Sequence, residues 1–296
     1  MRTNPYLQLI RPANLITSAT DIVAGSTLAT LLTHPPTEAS FSLIHFCLLV
    51  ISTVLLYAGG IAFNDVFDHH IDRIERPERP IPSGRISMVQ AGRFAGILLL
   101  AGILSGFLVH PLSGFLALFI AVLSLVYNKI SKHHALGGPL NMGILRGLNL
   151  LLGLSMIPSV VHHHYWIAII PVIYIFAITM VSRGEVHGSS VRTLILALGL
   201  YIIADTVILS YGFRYDRIWL PLLFVFMHLL FVLPPLFKAI KEPIPDFIRQ
   251  AVKHGVIGVI LLDAIWVSMT DYWYWAFVLL LLLPLSKKLG KYFSVT

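Results

Sequence analysis

Leu43 to Phe63 is an apolar run without a single Lys, Arg, Asp or Glu, and about 20 such residues are enough to cross a bilayer. Further runs of this kind lie at about 15–33, 93–110, 112–127, 139–160, 165–182, 193–211, 218–237, 254–270 and 273–286. Hydrocarbon offers the backbone no hydrogen bonds, so such runs cross it as helices. The chain is therefore expected to be all-α, a multi-spanning membrane helical bundle of nine to ten transmembrane helices. The count stays open because the pairs 93–110 with 112–127 and 254–270 with 273–286 are tightly spaced. Residues 1–296 read as a single integral membrane domain.

Composition agrees. The chain is 57% hydrophobic and 12% charged, with mean hydropathy +0.83, which excludes an ordinary soluble domain. A pI near 9.6 invites a nucleic-acid reading, but the bases sit between spans and form no dense patch with interleaved aromatics, so no nucleic acid is expected. Cys47 is the single cysteine, so there is no disulfide framework. No signal peptide is expected ahead of the first span, which carries Asp21. With the N-terminus inside, 18 of the 21 Lys and Arg fall on one side; Arg214 and Arg217 lie on the other, and Arg146 lies within a span. That bias predicts cytoplasmic N- and C-termini.

Directly after the Leu43–Phe63 run comes Asn64-Asp65-Val66-Phe67-Asp68-His69-His70-Ile71-Asp72. On a helix, Asn64, Asp65, Asp68 and Asp72 share an arc of about 100°. Three stacked carboxylates repel one another, and the carbonyls of a helix C-terminus repel them further. A hard divalent cation with oxygen ligands would offset that cost, and Mg²⁺ commonly completes its shell with substrate phosphates. A carboxylate face at the membrane surface thus suggests a diphosphate-bearing lipid substrate. The plainer alternative, a solvated acidic helix end, does not need four residues in phase. Next, Pro77, Pro80 and Pro82 forbid a continuing helix and Ser83-Gly84 adds a turn. Arg79 and Arg85 on this stiff loop have the guanidinium fork that clamps phosphate oxygens; the alternative for the loop's arginines is a contact with anionic lipid.

Four spans later, on the same predicted side, a second polar loop reads Val181-Ser182-Arg183-Gly184-Glu185-Val186-His187-Gly188. The offset of about 120 residues suggests two four-helix halves, which would bring both loops over one central cavity.

Asn64-Asp65-x-x-Asp68-x-x-x-Asp72 followed by Arg79-Pro80-Ile81-Pro82-Ser83-Gly84 resembles the first signature of the UbiA superfamily of intramembrane prenyltransferases. Arg11-Pro12-x-Asn14, and Tyr127 with Lys129 and Lys132, are similar to the family's other segments. The resemblance in layout covers nearly the whole chain. It implies a helical bundle around a central cavity open sideways to lipid, two acidic motifs that hold a prenyl diphosphate through Mg²⁺, and transfer of the prenyl group to an aromatic or other lipophilic acceptor. It implies that Asn64, Asp65, Asp68 and Asp72 are metal or diphosphate residues and that Arg79 and Lys132 contact diphosphate. The second motif departs from the family, which places two or three aspartates there; this chain has Glu185 alone, flanked by Arg183 and His187. Glu185 would be the remaining metal ligand, Arg183 a fixed cation for diphosphate, and His187 a ligand or base. This loop is similar to that of the UbiA-like EboC group, which implies a role beside metabolite assembly or export, with partner proteins of the same pathway.

Polar residues inside spans carry functional weight, because burying charge in lipid is costly. Arg146 is expected either to touch diphosphate from within the cavity or to pair with an acid. Asp21, Asp205 and Asp263 are expected to make structural hydrogen bonds. His162-His163-His164 reads as a loop surface on the side opposite the Asp cluster, and Tyr272-Trp273-Tyr274-Trp275 as an interfacial belt. Two alternatives to an enzyme stay open: a transporter, which would not need the Asn-Asp-x-x-Asp stack, and a catalytically silent relative that keeps the first motif and has lost the second.

Overall fold

The computed structural model describes residues 4–33, 41–186 and 188–292. After a short α1 (Pro5–Ile10) come α2 (Pro12–Leu32), α3 (Leu43–Phe67), α4 (His69–Glu75), α5 (Met88–Val109), α6 (Pro111–Lys129) and α7 (Gly137–Leu154). The second half holds α8 (Pro158–His164), α9 (Ile169–Ser182), α10 (Val191–Arg214), α11 (Trp219–Lys241), α12 (Pro245–Ser268) and α13 (Tyr274–Tyr292). Among the described residues there is no strand. Among the described residues, eight helical segments are long and apolar enough to cross a membrane, with Pro158–Ser182 counted as one. α7, which carries Asn141, Arg146 and Asn149, and α13, whose apolar part Tyr274–Ser286 is shorter, complete ten antiparallel passes.

Several helices start ahead of the apolar runs that announce them, whereas the run expected at 139–160 is broken after Leu154, where α7 ends and α8 follows from Pro158. α5 starts at Met88 because Ser87 and Gln90 form a reciprocal capping box, and α2, α6 and α12 each have proline at a first-turn position, where its missing N–H costs nothing. The run expected at 254–270 is accordingly α12 over Pro245–Ser268.

α2 and α12 are the most deeply buried spans. α2 crosses α7 through facing glycines: a Cβ on Gly25 would fall 2.5 Å from the Leu150 carbonyl oxygen, and one on Gly153 would fall 3.0 Å from the Gly25 Cα. α3 and α5 interlock in the same manner, Gly59 over Leu99 and Gly102 over Leu56, with Ser52 donating to the Gly102 carbonyl at 2.7 Å. Lipid gives helices no hydrophobic reason to associate, so small residues and interhelical hydrogen bonds hold them together. In the second half, Asp205 on α10 meets His228 on α11 at 2.9 Å, and the other ring nitrogen of His228 lies 3.0 Å from the Tyr174 hydroxyl of α9. Asp263 accepts from Thr20 at 2.5 Å. The solitary acids of the sequence are thus tied across helices.

His163 bonds its own helix at the Ser159 carbonyl, at the bundle end opposite the Asp cluster. The tight α2–α7 crossing predicts that Gly25→Ala destabilises the protein by about 1–3 kcal/mol, seen as a lower unfolding temperature in detergent. Gly92→Ala, with open space around its Cβ, should leave that temperature unchanged or slightly raised.

Candidate active site

The acidic face survives a break in the helix. α3 ends at Phe67 and α4 begins at His69, with Asp68 as the joint. The Asp68 N–H still donates to the Asn64 carbonyl at 2.9 Å, and the Asp72 N–H to the Asp68 carbonyl at 2.8 Å. The four residues therefore keep their helical phase. Asp65 and Asp72 are buried and Asp68 half-buried.

Each carboxylate is held by a base. Arg79 reaches back from the proline loop to Asp72 Oδ2 at 2.6 Å and Asp65 Oδ1 at 3.2 Å. Arg11 Nη2 meets Asp65 Oδ1 at 2.6 Å, and Lys132 pairs with Asp68. The charge compensation expected of a cation is supplied here by three side chains. Arg85 is not part of this frame: it donates to the Glu78 carbonyl at 2.7 Å and to Ser83 at 3.0 Å, bracing the loop. Among the described residues no three His, Cys, Asp or Glu side chains converge as a ready-made metal cage.

Arg11 has a left-handed backbone, φ 44 and ψ 74, at a position where the following Pro12 disfavours the right-handed helical region. A non-glycine residue is strained there, at about 1–3 kcal/mol, and the strain turns the chain between α1 and α2 so that the guanidinium meets Asp65. Burial pulls the Arg11 guanidinium below its usual range against the attraction of Asp65; it remains a cation at physiological pH.

Beneath the carboxylates lies a cavity of about 330 Å³. Its α3 wall is Thr53, Leu56, Tyr57, Gly60, Ile61 and Asn64, spaced as one helix face. α6 adds Ile120, Ser124, Tyr127 and Asn128; α7 adds Met142, Leu145, Arg146 and Asn149; Arg11 stands at the mouth. Asn64 donates to Asn128 at 3.0 Å, and Asn128 to the Gly60 carbonyl at 2.8 Å, so the rim is rigid. The cavity is lined by α3, α6 and α7, all in the first half of the chain, with Arg11 beside them.

The second loop lies at the same end. Arg183 donates to the His134 carbonyl at 2.9 Å. Glu185 is half-buried; its carbonyl accepts from Arg249 at 3.2 Å. Burial raises the Glu185 carboxyl above the usual range, opposed by the charges of Arg249 and Arg76. His187 lies outside the described residues. The structure thus gathers Asn64, Asp65, Asp68, Asp72, Arg79 and Lys132, sets Arg183 and Glu185 on the neighbouring loop, and leaves Arg146 deeper, 2.7 Å from Asp21. Sequence reasoning did not name Arg11 or Asn128 as site residues; Asn128, between Tyr127 and Lys129 at a span end, was the readable signal.

The model of the UbiA prenyltransferase family matches residues 23–240. The chain belongs to this family. A relative from Sulfolobus acidocaldarius, named digeranylgeranylglyceryl phosphate synthase, is 33% identical over 220 residues, covering 70% of this chain and 75% of its own. A relative of the same name from Methanosarcina barkeri is 35% identical over 156 residues, 51% of this chain; the chain spans about half the length, 54%, of that protein. Among solved structures, a UbiA homologue from Archaeoglobus fulgidus bound to DMAPP and Mg²⁺ shares the fold, with TM-score 0.62, 17% identity, and 90% and 99% of the two chains covered. This UbiA-family chain is therefore an integral membrane protein with the family's helical bundle.

Arg79→Ala leaves buried Asp72 without its base, a loss that costs about 3–5 kcal/mol for a buried pair. The unfolding temperature in detergent should fall, and millimolar Mg²⁺ should restore more of it in this variant than in the parent. An unshifted variant would contradict the pairing.

Proposed function

We propose that this chain moves a prenyl group from a Mg²⁺-bound prenyl diphosphate to a lipophilic acceptor within the membrane. The observation that carries the reading is the row of base-paired carboxylates at the mouth of an apolar-walled cavity. The donor set suits Mg²⁺, a hard cation that takes a few carboxylate oxygens and leaves the rest of its shell to phosphates. Asp65 and Asp68 would hold it, with Asn64, Asp72 and Glu185 as further oxygen donors. With Mg²⁺ held by the carboxylates, Arg11, Arg79 and Lys132 would be free to pair with the diphosphate oxygens, so each side chain would exchange one opposite charge for another. Mg²⁺ would stabilise the negative charge gathering on the departing diphosphate. The bases do the same from fixed positions, while Leu56, Ile61, Ile120 and Leu145 keep water from the allylic carbon.

Arg183 would supply a fixed positive charge on a second loop whose one acid is Glu185, so fewer metal ions would be needed there. His187 is kept as a ligand or base in this proposal. The relatives' named product supports a glyceryl phosphate lipid as acceptor; an aromatic acceptor draws support from the family resemblance alone. The lysine and arginine bias supports a cytoplasmic site and cytoplasmic termini. A second reading, a silent member that binds without turnover, is favoured by Glu185 standing as the lone acid of its loop.

Binding of farnesyl diphosphate to the purified chain should require Mg²⁺ and fall at least about 100-fold in Asp68→Ala. Mg²⁺-independent binding of equal strength in both proteins would sink the metal assignment, and binding without diphosphate release would favour the silent member. Ionised Glu185 is the form that holds a cation, so acidification should weaken Mg²⁺-linked binding at a higher pH than an ordinary carboxylate would. Glu185→Gln should lack that step in a pH titration.

A further inference from the structure

Thr53 of α3 and Asn149 of α7, the residues of each helix that line the cavity farthest from the carboxylates, form a polar bar whose bonds are already made. Thr53 donates to Asn149 Oδ1 at 2.6 Å. Asn149 in turn donates to Asp21 Oδ2 at 2.7 Å and to the Ser18 carbonyl at 2.9 Å. Beside it, Arg146 is paired with Asp21 at 2.7 Å and donates to the Thr17 carbonyl. Such a bar is a wall: its donors and acceptors are turned to one another and to α2, and an apolar chain end resting on it strands none of them.

The lining residues of α3 share one face, so the cavity runs along that helix. At 1.5 Å per residue, Gly60 lies about 6 Å and Thr53 about 16 Å from Asn64 toward the far end. An extended chain of single bonds advances about 1.2 Å per bond, as the three backbone bonds and 3.3–3.6 Å reach of a residue imply. An isoprene unit adds four such bonds, about 5 Å on the same scale. Three units therefore reach from the rim to the bar.

We propose that the Thr53–Asn149 bar sets the length of prenyl chain that this protein holds extended: three isoprene units fit, and a fourth must turn aside. This rests on the prenyl-transfer reading above and narrows its donor to a farnesyl-sized substrate. A geranylgeranyl chain, the group in the relatives' named product, would leave its last unit without a place along the wall.

The test measures the affinity of the purified full chain, with Mg²⁺, for dimethylallyl, geranyl, farnesyl and geranylgeranyl diphosphate. Each unit up to farnesyl buries apolar carbon and should tighten binding about tenfold or more. The step to geranylgeranyl should gain less than about threefold. Gly60→Leu raises a block one unit deep; a Cβ there meets Ser124 at an ordinary 3.4 Å, so the backbone need not move. This variant should lose the gain from the second and third units. Thr53→Phe should lose only the third. An undiminished gain from farnesyl to geranylgeranyl, or a Gly60→Leu profile matching the parent's, would overturn the ruler while leaving prenyl transfer standing. Failure to bind any of the four overturns the prenyl-transfer reading, and the ruler with it.

Discussion

Three carboxylates on one helix end at the edge of a membrane are tolerable only if each has a positive partner, and the site is organised around that requirement. Arg79 ties the proline loop down onto Asp65 and Asp72. Arg11 accepts a left-handed backbone to reach Asp65. Lys132 anchors the turn after α6 to Asp68. Separate segments of the chain thus converge because isolated buried charge is far costlier than a strained residue or an ordered loop. The same pairs are replaceable. A ligand that brings its own cations and anions can exchange partners with them without leaving any charge uncompensated, which is what a magnesium diphosphate offers.

Below the pairs, packing divides the labour between the two halves. α3, α6 and α7 leave a cavity, held open by an asparagine-bridged rim and closed by a polar bar. The second half is filled: α12 is buried on nearly all sides, and the Asp205–His228–Tyr174 chain satisfies polar groups that lipid could not. α2 belongs to both. Its Gly25 face meets α7, while Asp21 and Thr20 reach Arg146 and Asp263, so the cavity floor and the second half are braced by one helix.

Much of this was legible in the residues. Uncharged runs long enough to span a bilayer declared the helices, and the in-phase Asn64, Asp65, Asp68 and Asp72 pointed to the candidate site, because both signals depend only on local periodicity. Lys132 and Arg79 could be named through the family pattern. Arg11 could not, since nothing local links it to Asp65, 54 positions away in the chain; that contact depends on how α1 turns into α2. Arg146 was readable as either a phosphate contact or an ion-pair partner; the α2–α7 crossing pairs it with Asp21 while it also lines the cavity. Which helices line the cavity was hidden for the same reason: a hydropathy pattern says which helices exist, whereas glycine contacts such as Gly25 with Gly153 say which of them close together.

In the function proposed above, the carboxylates surrender their bases to a metal only when diphosphate arrives to receive those bases. Mn²⁺, a magnesium substitute visible by electron paramagnetic resonance, tests it directly. Titrated into the purified protein alone, Mn²⁺ should bind weakly; with inorganic diphosphate present it should bind at least about tenfold more tightly than diphosphate alone holds it in solution. Tight Mn²⁺ binding without diphosphate, or no gain when diphosphate is added, would contradict the exchange.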